Sequence, residues 1–157
     1  MNGAQALLQT LIDSGVDTCF MNPGTSEMHF VAALDSVPEM RGILALFEGV
    51  DTGAADGYGR MAGKPAATLL HLGPGLGNGL ANLHNARRAR TPIVNIVGDH
   101  ATYHQALDAP LQSDIIGVAN NVSRWVRESK GAEAVGADTL EAIFQARRGG
   151  VATLILP

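Results

Sequence analysis

A single cysteine, Cys19, stands in an apolar run, which excludes a disulfide framework and a cysteine-based metal cluster. A buried, inert thiol is the expectation. Charged residues make up 17% of the chain and aromatic ones 4%, and the formal net charge is −4. That balance argues against a nucleic-acid partner and against a membrane surface. The one dense basic cluster, Arg87-Arg88-Ala89-Arg90, reads as the cationic end of a helix complementing its dipole. No apolar run approaches the roughly 20 residues that a membrane span needs, and the N-terminus lacks the basic-then-apolar pattern of a secretory signal. The cytoplasm is the expected compartment.

What is present is a chain of 157 residues, 46% of them hydrophobic, which is the length of one domain with a real core. Short apolar runs alternate with longer amphipathic ones. Helical spacing covers Gln5 to Ile12, Glu27 to Leu34, Gly49 to Ala62, Asn78 to Arg88, Ile115 to Asn120 and Thr139 to Arg147, with Thr25 or Ser26 as the expected cap of the second helix. Strand-like runs cover Asp17 to Met21, Gly42 to Phe47, Ala66 to Leu72, Pro92 to Val97, Arg124 to Val126 and Val151 to Leu156. Strands rich in Val, Ile and Leu separated by helices imply a doubly wound α/β domain. Its six-stranded, mostly parallel sheet should be covered by helices on both faces, as one three-layer unit. Ligands of such sheets bind beyond the carboxyl ends of the strands. Three unusual segments fall there: 22–26, 47–49 and 71–77. Residues 99–112 form the longest irregular stretch.

The glycine stretch Gly73-Pro74-Gly75-Leu76-Gly77-Asn78-Gly79 follows a strand and opens a helix, as phosphate-binding loops do. It fits G-x-G-x-x-G in no register, and no Walker lysine follows. A tight turn that lets a flat ligand approach the backbone is the competing reading. Glu48 stands between an apolar strand and a helix rich in small residues at Gly49, Gly53, Ala54, Ala55 and Gly57. Such a glutamate can simply favour the helix dipole. The small-residue face also admits a second helix or a flat ligand, and burial there would suit the carboxyl to proton exchange. His71 ends a strand beside the glycine stretch, either as a hydrogen-bonded structural residue or as a proton carrier. No other histidine or carboxylate has ligand-like spacing to it, so no metal site is expected. A G-x-S-x-G elbow is absent, which removes a serine-hydrolase reading.

Taken in order, Asn22-Pro23-Gly24-Thr25-Ser26-Glu27, Phe47-Glu48-Gly49, Ala55-Asp56-Gly57-Tyr58-Gly59-Arg60 and Leu72-Gly73-Pro74-Gly75 form one set. This set resembles the N-terminal, pyrimidine-binding domain of thiamine-diphosphate-dependent enzymes of the acetolactate synthase and benzoylformate decarboxylase group. The resemblance runs from about residue 3 to residue 157. It implies a domain of a 2-keto acid decarboxylase or acetolactate-synthase-like carboligase, inactive alone, in which Glu48 hydrogen-bonds ring nitrogen N1′ of the cofactor and favours its imino form. Thr25 falls at a substrate-contacting serine of benzoylformate decarboxylase, and His71 at a histidine used there in proton transfer. Pro23, Gly24, Gly73 and Asn78 fall among the cofactor-binding positions.

The family holds Mg²⁺ and the diphosphate in another domain through a G-D-G motif, which Gly98-Asp99-His100 is not. The resemblance therefore implies that the central and diphosphate-binding domains lie outside this chain, so that it is a fragment or one subunit of a split enzyme. A non-catalytic assembly or regulatory homologue is the alternative, and a nucleotide-binding module using residues 73–79 is a third. Asp51 departs from the family pattern, where a small apolar residue is usual. The helix that carries it packs against a partner subunit in the family homodimer. An unpaired acid at that seam would weaken dimerisation.

Overall fold

The computed structural model describes residues 1–157. In chain order the elements are α1 (Gly3–Asp13), β1 (Thr18–Asn22), a 3₁₀ turn (Thr25–Glu27), α2 (Met28–Leu34), β2 (Arg41–Leu44), α3 (Glu48–Ala62) and β3 (Ala66–His71). They continue with α4 (Leu72–Ala89), β4 (Ile93–Gly98), α5 (Thr102–Gln105), α6 (Ile115–Asn120), β5 (Trp125–Glu128), α7 (Val135–Arg147) and β6 (Val151–Leu156). The six strands form one sheet in the order β2-β1-β3-β4-β6-β5. Every pairing is parallel, so the sheet is wholly rather than mostly so.

Alternation along the strands builds two cores. Ala67, Leu69, Val94, Ile96, Ala152 and Leu154 face α1, α2 and α7, against Leu7, Leu8, Leu11 and Ile143. The intervening Ala66, Leu70, Ile93, Val97, Val151 and Ile155 face α3, α4 and α6, against Ala55, Leu76, Leu83 and Ile115. A period of two on each strand, with both sets buried, is what a doubly covered sheet requires. One polar rung interrupts the second core. Thr68, Asn95 and Thr153 lie side by side in register. Thr68 Oγ1 donates to Asn95 Oδ1 (2.7 Å) and Asn95 Nδ2 donates to Thr153 Oγ1 (2.9 Å). All three are fully buried, and the mutual bonds offset their desolvation.

Several boundaries differ from the sequence expectation, each for a tertiary reason. The glycine stretch is no loop, because α4 begins at Leu72. Glycine is a poor helix former, but here it allows contact: a Cβ on Gly79 would come within 2.9 Å of Thr52 Cγ2 on α3. The small-residue face of α3 is taken by α4 in the same way, since Asn82 Nδ2 donates to Gly49 O (2.7 Å) and lies where a Gly53 Cβ would clash. β2 ends at Leu44, so Ala45 to Phe47 lead out of the sheet instead of extending it. α7 begins four residues before Thr139, and the 99–112 stretch contains the short α5. No helix is long and apolar enough to cross a membrane.

Candidate functional site

The sheet reverses its winding between β1 and β3: the chain moves from β1 outward to β2, then returns across β1 to β3. The crevice beyond the carboxyl ends of β1 and β3 is the position where parallel α/β sheets place ligands. The turn after β1, the start of α3 and the junction of β3 with α4 all meet there.

Glu48 opens α3 and is buried, at 7% exposure. Asn78 Nδ2 donates to its Oε2 at 2.9 Å. Its Oε1 lies against Gly75, where a Cβ would sit 3.1 Å away. This oxygen has no protein partner and is not sealed from solvent. Thr52 steadies the turn below, donating through Oγ1 to Glu48 O (3.0 Å) and Gly79 O (3.1 Å). One carboxylate oxygen is thus anchored and the other left open to a donor.

His71 ends β3, with Nδ1 2.7 Å from Glu27 Oε2. The next residue, Leu72, has φ +53. A bulky residue in that left-handed region costs about 1–3 kcal/mol, which the burial of Leu72 in the core offsets. The ring of His71 lies flat on Gly24, where an added Cβ would fall 2.4 Å from Nδ1. Neither Thr25 nor Ser26 caps α2, contrary to expectation. The reason is Glu27, whose Oε2 accepts from Gly24 N at 2.7 Å and ties the turn to itself. Sequence reasoning missed Glu27 as a site residue. It is 3% exposed, and a glutamate following N-P-G-T-S was the only sign of it.

Thr25 is exposed beside the crevice, and Pro23 and Gly24 are partly buried at its lip. Gly73 does not face open space: Ser113 packs on it, with Oγ 2.1 Å from where a Cβ would be. Glu48, His71, Gly24 and Asn78 are therefore brought together, whereas Gly73 is covered by the chain itself. None of these lines the cavity of about 300 Å³ on the α1 and α7 side of the sheet, whose wall includes Leu7, Phe30, Ile96 and Val135. Glu27 alone belongs to both. No three His, Cys, Asp or Glu side chains are grouped to hold a metal ion.

Residues 1–121 match the model of the thiamine pyrophosphate enzyme family, N-terminal TPP binding domain. The chain belongs to that family. It is 72% identical over 158 residues to "Putative acetolactate synthase large subunit IlvX" of Mycobacterium tuberculosis, covering all of this chain and 31% of that protein. It is 34% identical over 122 residues to the benzoylformate decarboxylase of Pseudomonas aeruginosa, covering 77% of this chain and 23% of that one. Among solved structures, the thiamine diphosphate-dependent 4-hydroxybenzoylformate decarboxylase of Rhodococcus jostii superposes with a TM-score of 0.93 at 26% identity. That match covers all of this chain and 30% of the decarboxylase. The chain thus spans no more than about a third of the relatives it matches.

Asp51 does not occupy the outward seam that the family resemblance suggested. Its side chain is 0% exposed and both carboxylate oxygens are sealed without a partner. Burial first, and the charge of Glu48 second, push its carboxyl up to about 7. The expectation that Asp51 weakens association by sitting at a subunit surface is withdrawn. Its cost falls inside the domain. Cys19 is buried as expected, and burial raises its thiol far above the usual range, with the Asp51 charge adding to the effect.

Proposed function

We propose that this chain is the pyrimidine-binding part of a thiamine-diphosphate-dependent 2-keto acid decarboxylase or acetolactate-synthase-like carboligase, inactive without a diphosphate-binding domain. The observation that carries this reading is the state of Glu48: buried, anchored through Oε2 by Asn78, and open at Oε1. A single oriented acceptor in a desolvated crevice suits a ring nitrogen that must exchange a proton. Gly75 lets the Glu48 carboxyl, and Gly24 the His71 ring, lie close against the adjoining backbone, so both groups are held in place at the crevice.

When bound, the cofactor supplies the electron sink for 2-keto acid chemistry. The residues of this chain do the rest of their share as holders and donors. Glu48 Oε1 would meet ring N1′, Asn78 anchors the carboxyl through Oε2, and His71 and Thr25 would serve the substrate side. Pro23 and Gly24 shape the lip. Mg²⁺ and the diphosphate would be held by a domain outside residues 1–157, on the same or another chain. Leu44, Leu46, Phe47 and Val50 are exposed around the entry to α3, and an apolar rim of this kind fits a partner chain closing the site, as in a homodimer.

Two measurements test the proposal. Calorimetry of the isolated chain should show negligible heat with thiamine diphosphate and with NAD; tight NAD binding would overturn the reading. In the complete protein, Glu48→Gln should abolish exchange of the C2 proton of the bound cofactor. Unchanged exchange would remove Glu48 from the role.

A further inference from the structure

We infer that Glu27 is a positioning residue that fixes His71 with its Nδ1 proton turned into the protein, leaving Nε2 as the nitrogen presented to the site. The functional consequence rests on the reading of His71 given above, but the geometry stands apart from it. The Glu27 side chain is 1% exposed and its one ion-pair partner is His71. Its Oε2 faces two groups at 2.7 Å, the Gly24 amide and His71 Nδ1. The amide can only donate. With the carboxyl ionised, an unprotonated Nδ1 would set two lone pairs against each other at that distance in a poorly solvated place, where unmatched polar groups are most costly. His71 therefore donates from Nδ1, whether neutral or protonated. Its Nε2 has no protein partner and is not sealed.

The seat of Glu27 is built by the sheet. His71 and Gly98 are register partners at the ends of β3 and β4. The Glu27 carboxyl lies over Gly98 so closely that an added Cβ would be 1.8 Å from Oε1 and 2.6 Å from Cδ. Oε1 is sealed there without a partner, so both hydrogen bonds of the Glu27 carboxyl fall on its other oxygen, Oε2. The same oxygen also holds Gly24, so the turn that carries Thr25 and the ring of His71 are set by one group.

The test is ¹⁵N spectroscopy of the imidazoles in this chain, at a pH where His71 is neutral. The expected spectrum shows a protonated, pyrrole-type Nδ1 and an unprotonated Nε2. Glu27→Gln, which can still offer an oxygen to both donors, should keep that pattern. Glu27→Ala should lose it and revert to the Nε2–H form that a free histidine side chain prefers. An Nε2–H form in the unaltered chain would overturn the inference, as would an unchanged Nδ1–H form in a folded Glu27→Ala. If the alanine variant does not fold, the spectrum of the unaltered chain decides. None of these outcomes depends on thiamine diphosphate, so failure here and failure of the proposed function are separate results.

Discussion

Replacing Asp51 with asparagine should stabilise the chain by an amount that grows as pH rises to about 7 and then holds through alkaline pH. Asp51 is fully buried in the first turns of α3, with neither oxygen hydrogen-bonded. Its carboxyl is held at about 7, against an ordinary aspartate value of 3.8, by burial first and by Glu48 second. Between those two values the folded state keeps a proton that the unfolded state has released. Stability must then fall as pH rises through that window. At 1.36 kcal/mol per pH unit, the interval from 3.8 to about 7 corresponds to about 4 kcal/mol. The loss is absent below pH 3.8, accumulates up to about 7, and is constant above it. Against a total stability of roughly 5–15 kcal/mol for an ordinary domain, this is a large burden.

The assay is urea unfolding of the unaltered chain and of Asp51→Asn, at intervals from pH 4 to pH 9. Asparagine matches aspartic acid in size, so packing is preserved while the titration is removed. The two stabilities should be similar near pH 4 and diverge by about 4 kcal/mol above pH 7. A difference independent of pH would refute the reasoning, because it would show that Asp51 carries the same charge in the folded and unfolded chains. So would a variant that loses stability at high pH along with the parent.

Three further substitutions probe the frame around the site. Gly24→Ala brings a Cβ within 2.4 Å of the His71 ring and should lower stability by about 1–3 kcal/mol in thermal denaturation while shifting the His71 ring signals; an unshifted ring would mean that the turn yields instead. Asn95→Val strips the buried Thr68 hydroxyl of its partner and leaves Thr153 only Ser123 Oγ, at a cost of about 1–3 kcal/mol in urea unfolding. Thr52→Val keeps the shape that packs on Gly79 but removes the donor to Glu48 O and Gly79 O. It should cost about 1–2 kcal/mol and loosen the start of α3, seen as faster amide exchange around Glu48.

Much of the architecture was legible because its signals are local. The run Val151 to Leu156 and the helix Ile115 to Asn120 were bounded correctly by apolar content and flanking residues alone. Glu48 stood out because a carboxylate between an apolar strand and a glycine-rich helix breaks the pattern on either side. The failures share a cause. Gly73 to Gly77 read as a loop because glycine disfavours helices, yet α4 begins at Leu72, with Gly75 and Gly79 lying against Glu48 and Thr52 of α3. Asn95 drew no reading of its own within the strand from Pro92 to Val97. Its meaning depends on Thr68 and Thr153, which are 27 and 58 residues away. Partners so distant leave no mark in the neighbouring sequence.

Glu27 and Asp51 make the same point with opposite outcomes. Both are acids in the first turns of helices, where helical position alone suggests no more than a favourable dipole. The fold buries both. Glu27 meets an amide and an imidazole, and the turn after β1 becomes tied to the end of β3. Asp51 meets nothing, and its carboxyl is driven toward the neutral form one helical turn from Glu48. Whether a buried acid organises a site or burdens the fold is decided by which strand ends the topology brings beside it. Here the β1–β3 switch point supplies His71 and Gly24 to one acid and leaves the other without a donor.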